Sequence, residues 1–146
     1  MMSFAPRHGD AGTLHLRNAG GKPLRVRAEL LAEGSSRDGT APWWHEIALY
    51  RTEDGEMAVA LRLSRAGCGI GIHRARLFPS LDDAASWLEA FDPAIDLAAD
   101  FDVSDATLSA AAVTVKAAGL RERAARLERG FRTLVGELLF QIMVDS

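Results

Sequence analysis

Thiol is nearly absent from this chain: Cys68 is the single cysteine among 146 residues. An intrachain disulfide and a cluster of thiolate metal ligands are both excluded, and a reducing, cytoplasmic setting is the expectation that follows. Lysine is almost as scarce. Of 17 basic residues only Lys22 and Lys116 are lysine, and with the abundant alanine this points to a GC-rich bacterial genome rather than to a selected phosphate chemistry. Long apolar runs are missing too. The stretch from Met1 to His8 has no signal-peptide core, and Leu138 to Val144 falls far short of the roughly 20 residues that cross a bilayer. Neither internal repeats nor low-complexity tracts are present, and no proline interrupts Ala106 to Met143.

What is there fits one domain. A chain of this length buries roughly 70% of its unfolded surface, and a hydrophobic fraction of 48%, a charged fraction of 25% and a mean hydropathy of -0.01 sit at globular averages. The net charge of -3 is unevenly spread. Residues 1–77 carry 11 basic and 8 acidic side chains, whereas residues 78–146 carry 6 and 12.

Residues 1–12, with Pro6, Gly9 and Gly12 and no periodicity, read as a flexible lead. The sheet is expected within residues 13–78. Thr13 to Asn18 is a short strand candidate before the Gly20-Gly21-Lys22-Pro23 turn. Leu24, Val26, Ala28 and Leu30 alternate with Arg25, Arg27 and Glu29, the pattern of a half-buried antiparallel strand. Gly34 to Pro42 reads as a polar loop. Trp43 to Arg51 is rich in aromatic and aliphatic residues on both alternate faces. Asp54-Gly55 supplies a tight hairpin, after which Met57, Val59, Leu61 and Leu63 face one way and Ala58, Ala60, Arg62 and Ser64 the other. Gly67 to Gly71 is a loop or bulge, and Ile72 to Leu77 a last strand.

Ser80 with Asp83 three residues on resembles a capping box, which predicts a helix over 80–91 ended by Asp92-Pro93. Residues 92–105 hold five aspartates and no base, an acidic connector. A C-terminal helix is expected over 106–143. There Val113, Ala117, Leu120, Ala124, Leu127, Phe131, Leu134 and Leu138 alternate by four and three, a heptad seam. The fold class expected is thus α+β: a four- or five-stranded antiparallel meander with a packed helix, followed by a long C-terminal helix.

At ~1.5 Å per residue such a helix outreaches its own domain. Either it bends at Gly119, Gly130 or Gly136 and folds back on the sheet, or it packs on a second copy. The leading expectation is a non-enzymatic homodimeric interaction protein with Val113, Leu120, Leu127, Phe131, Leu134 and Leu138 in its interface.

No catalytic constellation stands out and no cofactor is called for. Cys68 and His73 could form a nucleophilic pair or line a small-ligand site, but on an extended strand they point to opposite faces. Gly67, Gly69 and Gly71 precede a strand, whereas a phosphate loop precedes a helix. The four histidines lack ligand spacing, and the aspartates at 100, 102 and 105 lack the glycine and closing glutamate of a calcium loop. Along the last helix Glu122 with Arg126 and Glu128 with Arg132 read as solvated pairs. The second expectation is a surface for single-stranded nucleic acid. It needs Arg25, Arg27, Trp44, Tyr50, Arg62, Arg74 and Arg76 on one open sheet face, with bases stacked on the rings.

Overall fold

A computed structural model describes residues 11–18, 21–67, 71–95 and 110–145. Five strands form one antiparallel sheet in simple sequence order: β1 (Ala11–Leu16), β2 (Leu24–Ser35), β3 (Trp43–Thr52), β4 (Met57–Arg65) and β5 (Ile72–Phe78). Two helices follow, α1 (Leu81–Ala90) and α2 (Ala110–Asp145). The α+β meander is therefore present with its packed helix and its long last helix. Of the lead expected over residues 1–12, Ala11 and Gly12 belong instead to β1, which pairs them with Glu29 and Ala28; residues 1–10 and most of the expected acidic connector, from residue 96, lie outside the described residues.

Local chemistry sets each boundary. Gly55 at φ 83° closes the β3–β4 hairpin, where the Gly55 amide donates to the Thr52 carbonyl at 3.0 Å. A positive φ suits glycine because no Cβ meets the backbone. Ser80 caps α1 by accepting the Asp83 amide at 3.2 Å, with Asp82 and Asp83 in the first turn, where negative charge meets the positive end of the helix dipole. Strand β2 runs further than its simple alternation suggests. A bulge between Leu30 and Ala32 inserts one residue and reverses facing, so Leu30 joins one side of the sheet and Ala32 the other, and the strand continues to Ser35.

Each side of the sheet has its own core. On the first side Ile47, Leu49, Met57, Val59, Leu61 and Phe78 meet Ala84 and Leu88 of α1 and Phe131, Leu134, Val135, Leu138 and Ile142 of α2. On the second side Leu14, Leu16, Ala28, Leu30, Ala48, Tyr50, Ala58, Ala60 and Ala75 pack on one another. These are strand residues alone, so the sheet covers that side by curling over it. Alanines at the centre allow the tight curl, and the Ala75 amide donates to Asn18 Oδ1 at 3.3 Å, tying the end of β1 to β5.

Helix α2 is continuous through Gly119, Gly130 and Gly136. Its residues from Leu120 on lie on the sheet, with Leu120 and Ala124 partly buried and the side chains from Leu127 forming the buried contact. Gly34 of β2 makes room: a Cβ there would sit 2.9 Å from Leu134 Cδ1 and 3.4 Å from Leu138 Cδ2.

Candidate functional site

The heptad seam divides at Leu127. Leu127, Phe131, Leu134 and Leu138 are all buried against the chain's own strands and α1, so these four proposed interface residues are occupied within the protomer. A helix laid on a sheet needs the same apolar spacing as a helix laid on a helix, which is why the seam alone does not separate the two. Leu120 and Ala124 rest partly buried beside Trp43, Leu63, Ile72 and Leu127. Earlier still, the helix leaves the sheet. Val115 is 72% exposed, and Thr114, Lys116 and Ala118 are exposed with it. The side chain of Val113 lies outside the described set.

The seven residues expected to form an open Arg and aromatic face do not share one. Register places Trp44 opposite Ser64, Tyr50 opposite Ala58 and Arg62 opposite Glu46, all on the inner, curled side. Arg74 and Arg76 pair with Leu61 and Val59 on the helix-bearing side, whereas Arg25 and Arg27 pair with His15 and Thr13 of β1 and, by their alternation with Val26 and Ala28, face the same side of the sheet. Both rings are enclosed, Trp44 at 9% and Tyr50 at 0% exposure, so neither offers a platform for a base. The arginines of β5 lie over aromatic rings instead: Arg74 over Phe91 at 5.7 Å, and Arg76 over Phe78 at 5.5 Å and Trp87 at 5.7 Å. Such stacking of guanidinium on ring faces is a stable use of arginine at a core margin.

The inner side also holds a polar network that sequence reading missed. Glu46 Oε2 accepts from Arg62 Nε at 3.2 Å, Ser64 Oγ at 2.9 Å and Trp44 Nε1 at 3.4 Å, and is ion-paired with Arg62 Nη2. Arg62 Nε also reaches Ser64 Oγ at 2.9 Å. Burial alone would raise the Glu46 carboxyl, but the donors from Arg62, Ser64 and Trp44 outweigh it and hold the group below its ordinary range. Arg37 lies over the Trp44 ring at 4.5 Å and closes the outer edge. His73 sits opposite Arg62 on β5; burial and the charges of Arg62 and Arg17 depress its pKa, with Glu46 opposing. Further in, the Tyr50 hydroxyl is buried without a partner, and burial, aided by the Glu33 charge, pushes its ionisation up. The hint was the mixture of Trp44, Glu46 and Tyr50 on one face of β3: a face that is neither wet nor apolar is a buried one that carries polar groups inside. Cys68, the other half of the proposed thiol pair, lies outside the described residues, as do Gly69 and Ile70.

On the opposite side His45 is 1% exposed, wedged edge-on against Phe131 at 4.9 Å and Phe91 at 6.5 Å between ring centres. Its Nδ1 has no partner, and burial lowers its pKa to about 4. Arg132 does not form the expected pair with Glu128. It reaches across to α1, donating to the carbonyls of Leu88 at 3.2 Å, Glu89 at 2.7 Å and Phe91 at 2.8 Å. Helix α1 has no basic residue in its own last turn, and these carbonyls would otherwise lack helical donors. Among the described residues no group of three or more His, Cys, Asp or Glu could hold a metal ion, and no helix is long and apolar enough to cross a membrane.

Fold and site together define a small α+β protein: a curled meander backed on one side by two helices, with a helical extension leaving the sheet. No protein-family model, curated protein or solved structure matches the chain.

Proposed function

We propose that this is a non-enzymatic interaction protein that associates with a second copy of itself through the amino-terminal half of α2. One observation carries the reading: a continuous helix of 36 residues packs on its own sheet only from Leu120 on, and before that Val115 is 72% exposed. The ten residues from Ala110 to Gly119 extend ~15 Å beyond these contacts at ~1.5 Å each. Isolated helices of that length are marginal in water, so packing against a partner would stabilise the extension. Its sequence suits self-pairing. Between Ala110 and Gly119 the sole charge is Lys116, and Val113, Ala117, Leu120 and Ala124 continue the seam with small residues that permit close approach. The interface is thereby narrowed from the six seam residues to the early ones, Val113 and Leu120, together with Ala117 and Ala124.

Light scattering and sedimentation equilibrium over a wide concentration range test the proposal. A reversible dimer is expected, with Ala117→Glu shifting it to monomer while the thermal melt of the monomer stays intact. A wild-type chain that remains monomeric up to its solubility limit refutes it.

A further inference from the structure

The flank of α2 that carries Arg126, Arg129 and Thr133, beside the seam residue Leu134, borders a groove of about 440 Å³. Its helical wall is Arg126, Arg129, Thr133 and Glu137, and its second wall is Ser35, Ser36 and Asp38 at the end of β2. Gly130 forms the narrow floor: a Cβ added there would lie 3.4 Å from Ser36 Cβ.

The charges along this groove are not used up by the fold. Arg126 forms no ion pair with Glu122, and Arg129 forms none either among the described residues. Asp38 lies near enough to Arg126 to feel its charge, yet its Oδ1 is committed to its own turn. It accepts from the Thr40 amide at 2.8 Å, the Ala41 amide at 3.0 Å and the Thr40 hydroxyl at 2.8 Å. Two guanidiniums one helical turn apart thus face the groove with donors to spare. Ser35 Oγ accepts the Arg37 amide at 3.1 Å, which leaves its own proton free to donate inward. Thr133 adds a second hydroxyl.

Guanidinium forks match the oxygens of a phosphate by paired, charge-assisted hydrogen bonds. The groove is larger than a bare phosphate needs and falls within the size range of small-molecule sites. Apart from Leu134 and Gly130 its walls are polar, so an aromatic base would find little to rest on. Asp38 and Glu137 can instead accept hydrogen bonds from ligand hydroxyls. We propose that this groove binds a small phosphomonoester of a polyhydroxylated compound, of the sugar phosphate class, with Arg126 and Arg129 on the phosphate and Ser35, Thr133, Asp38 and Glu137 toward the hydroxyls. Association through residues 110–124 does not involve these residues, so the two proposals stand or fall separately.

Calorimetric titration of the intact protein at moderate salt is the test, with glucose 6-phosphate, inorganic phosphate and glucose as probes. Saturable binding of glucose 6-phosphate is expected, with weaker binding of inorganic phosphate and none of glucose. Arg126→Gln and Arg129→Gln each remove a charge-assisted donor and should weaken the ester by about tenfold or more. Both positions are on the outer flank of the helix, so circular dichroism of these variants should match the parent. Absence of saturable binding by glucose 6-phosphate overturns the site, as does binding that both variants retain in full. Equal affinity for phosphate and its ester overturns the assignment of the polar walls to a polyhydroxylated ligand.

Discussion

Acid should destabilise this protein through His45. The imidazole is 1% exposed between Phe91 and Phe131, and its pKa falls from the ordinary 6.5 to about 4. An unfolded chain takes up the proton near pH 6.5, whereas the folded chain resists until about pH 4. Stability from this residue is therefore complete above pH 6.5, declines as pH falls through the window from 6.5 to 4, and falls no further below it. A difference of 2.5 pH units corresponds to about 3.4 kcal/mol at ~1.36 kcal/mol per unit, with about 2 kcal/mol already lost at pH 5 and about 3 kcal/mol at pH 4. Set against a total of roughly 5–15 kcal/mol for a domain, that is a large part of the whole. The assay is urea denaturation of the parent and of His45→Leu from pH 8 to pH 4, followed by tryptophan fluorescence and circular dichroism. Subtracting the two curves cancels the other titrating groups, His73 among them. The parent should lose about 3 kcal/mol relative to the variant across the window. A difference that stays flat with pH would refute the reasoning, because it would mean that the ring is charged or solvated within the fold.

Three further substitutions probe other parts of the argument. Arg62→Met removes the ion-pair partner of Glu46, which is 6% exposed, and should cost about 3 kcal/mol in urea melts, as breaking a buried pair does; a loss below 1 kcal/mol would mean that water reaches the carboxylate. Gly34→Val puts branched carbon where Leu134 and Leu138 already sit and should cost about 1–3 kcal/mol by overpacking, seen as a lower thermal midpoint. Ser80→Ala deletes the acceptor for the Asp83 amide, with an expected cost of about 1 kcal/mol; Ser80→Asp should restore most of it.

Most of the fold could be read from residue patterns because those patterns are local. The Asp54-Gly55 hairpin, the Ser80 and Asp83 cap, and the alternation of Leu24 to Leu30 each depend on a few neighbouring residues. Strand β2 was underestimated, since a bulge at Leu31 reverses facing and alternation cannot be followed through it. The side chains meant for an open surface were misplaced for a different reason. Curling of a sheet is a property of all five strands, and it turned the Trp44 and Tyr50 face from a surface into an interior. β3 did carry a clue, since neither of its faces was polar, and a strand of that kind is buried on both sides. The role of Arg132 left no trace in the sequence: its acceptors on α1 are 41 to 44 positions away, and at short range Glu128 is the evident partner.

The capping of α1 by Arg132 also bears on how the chain is made. A ribosome releases β1 to β5 and then α1 well before it reaches Arg132 and the apolar residues between Leu127 and Ile142. Until that last segment emerges, the carbonyls of Leu88, Glu89 and Phe91 lack their donor, and Ile47, Leu49 and Leu61 lack their cover. The nascent meander must wait with one greasy side open to solvent or to a chaperone, and a stop codon a few turns early would leave it waiting permanently.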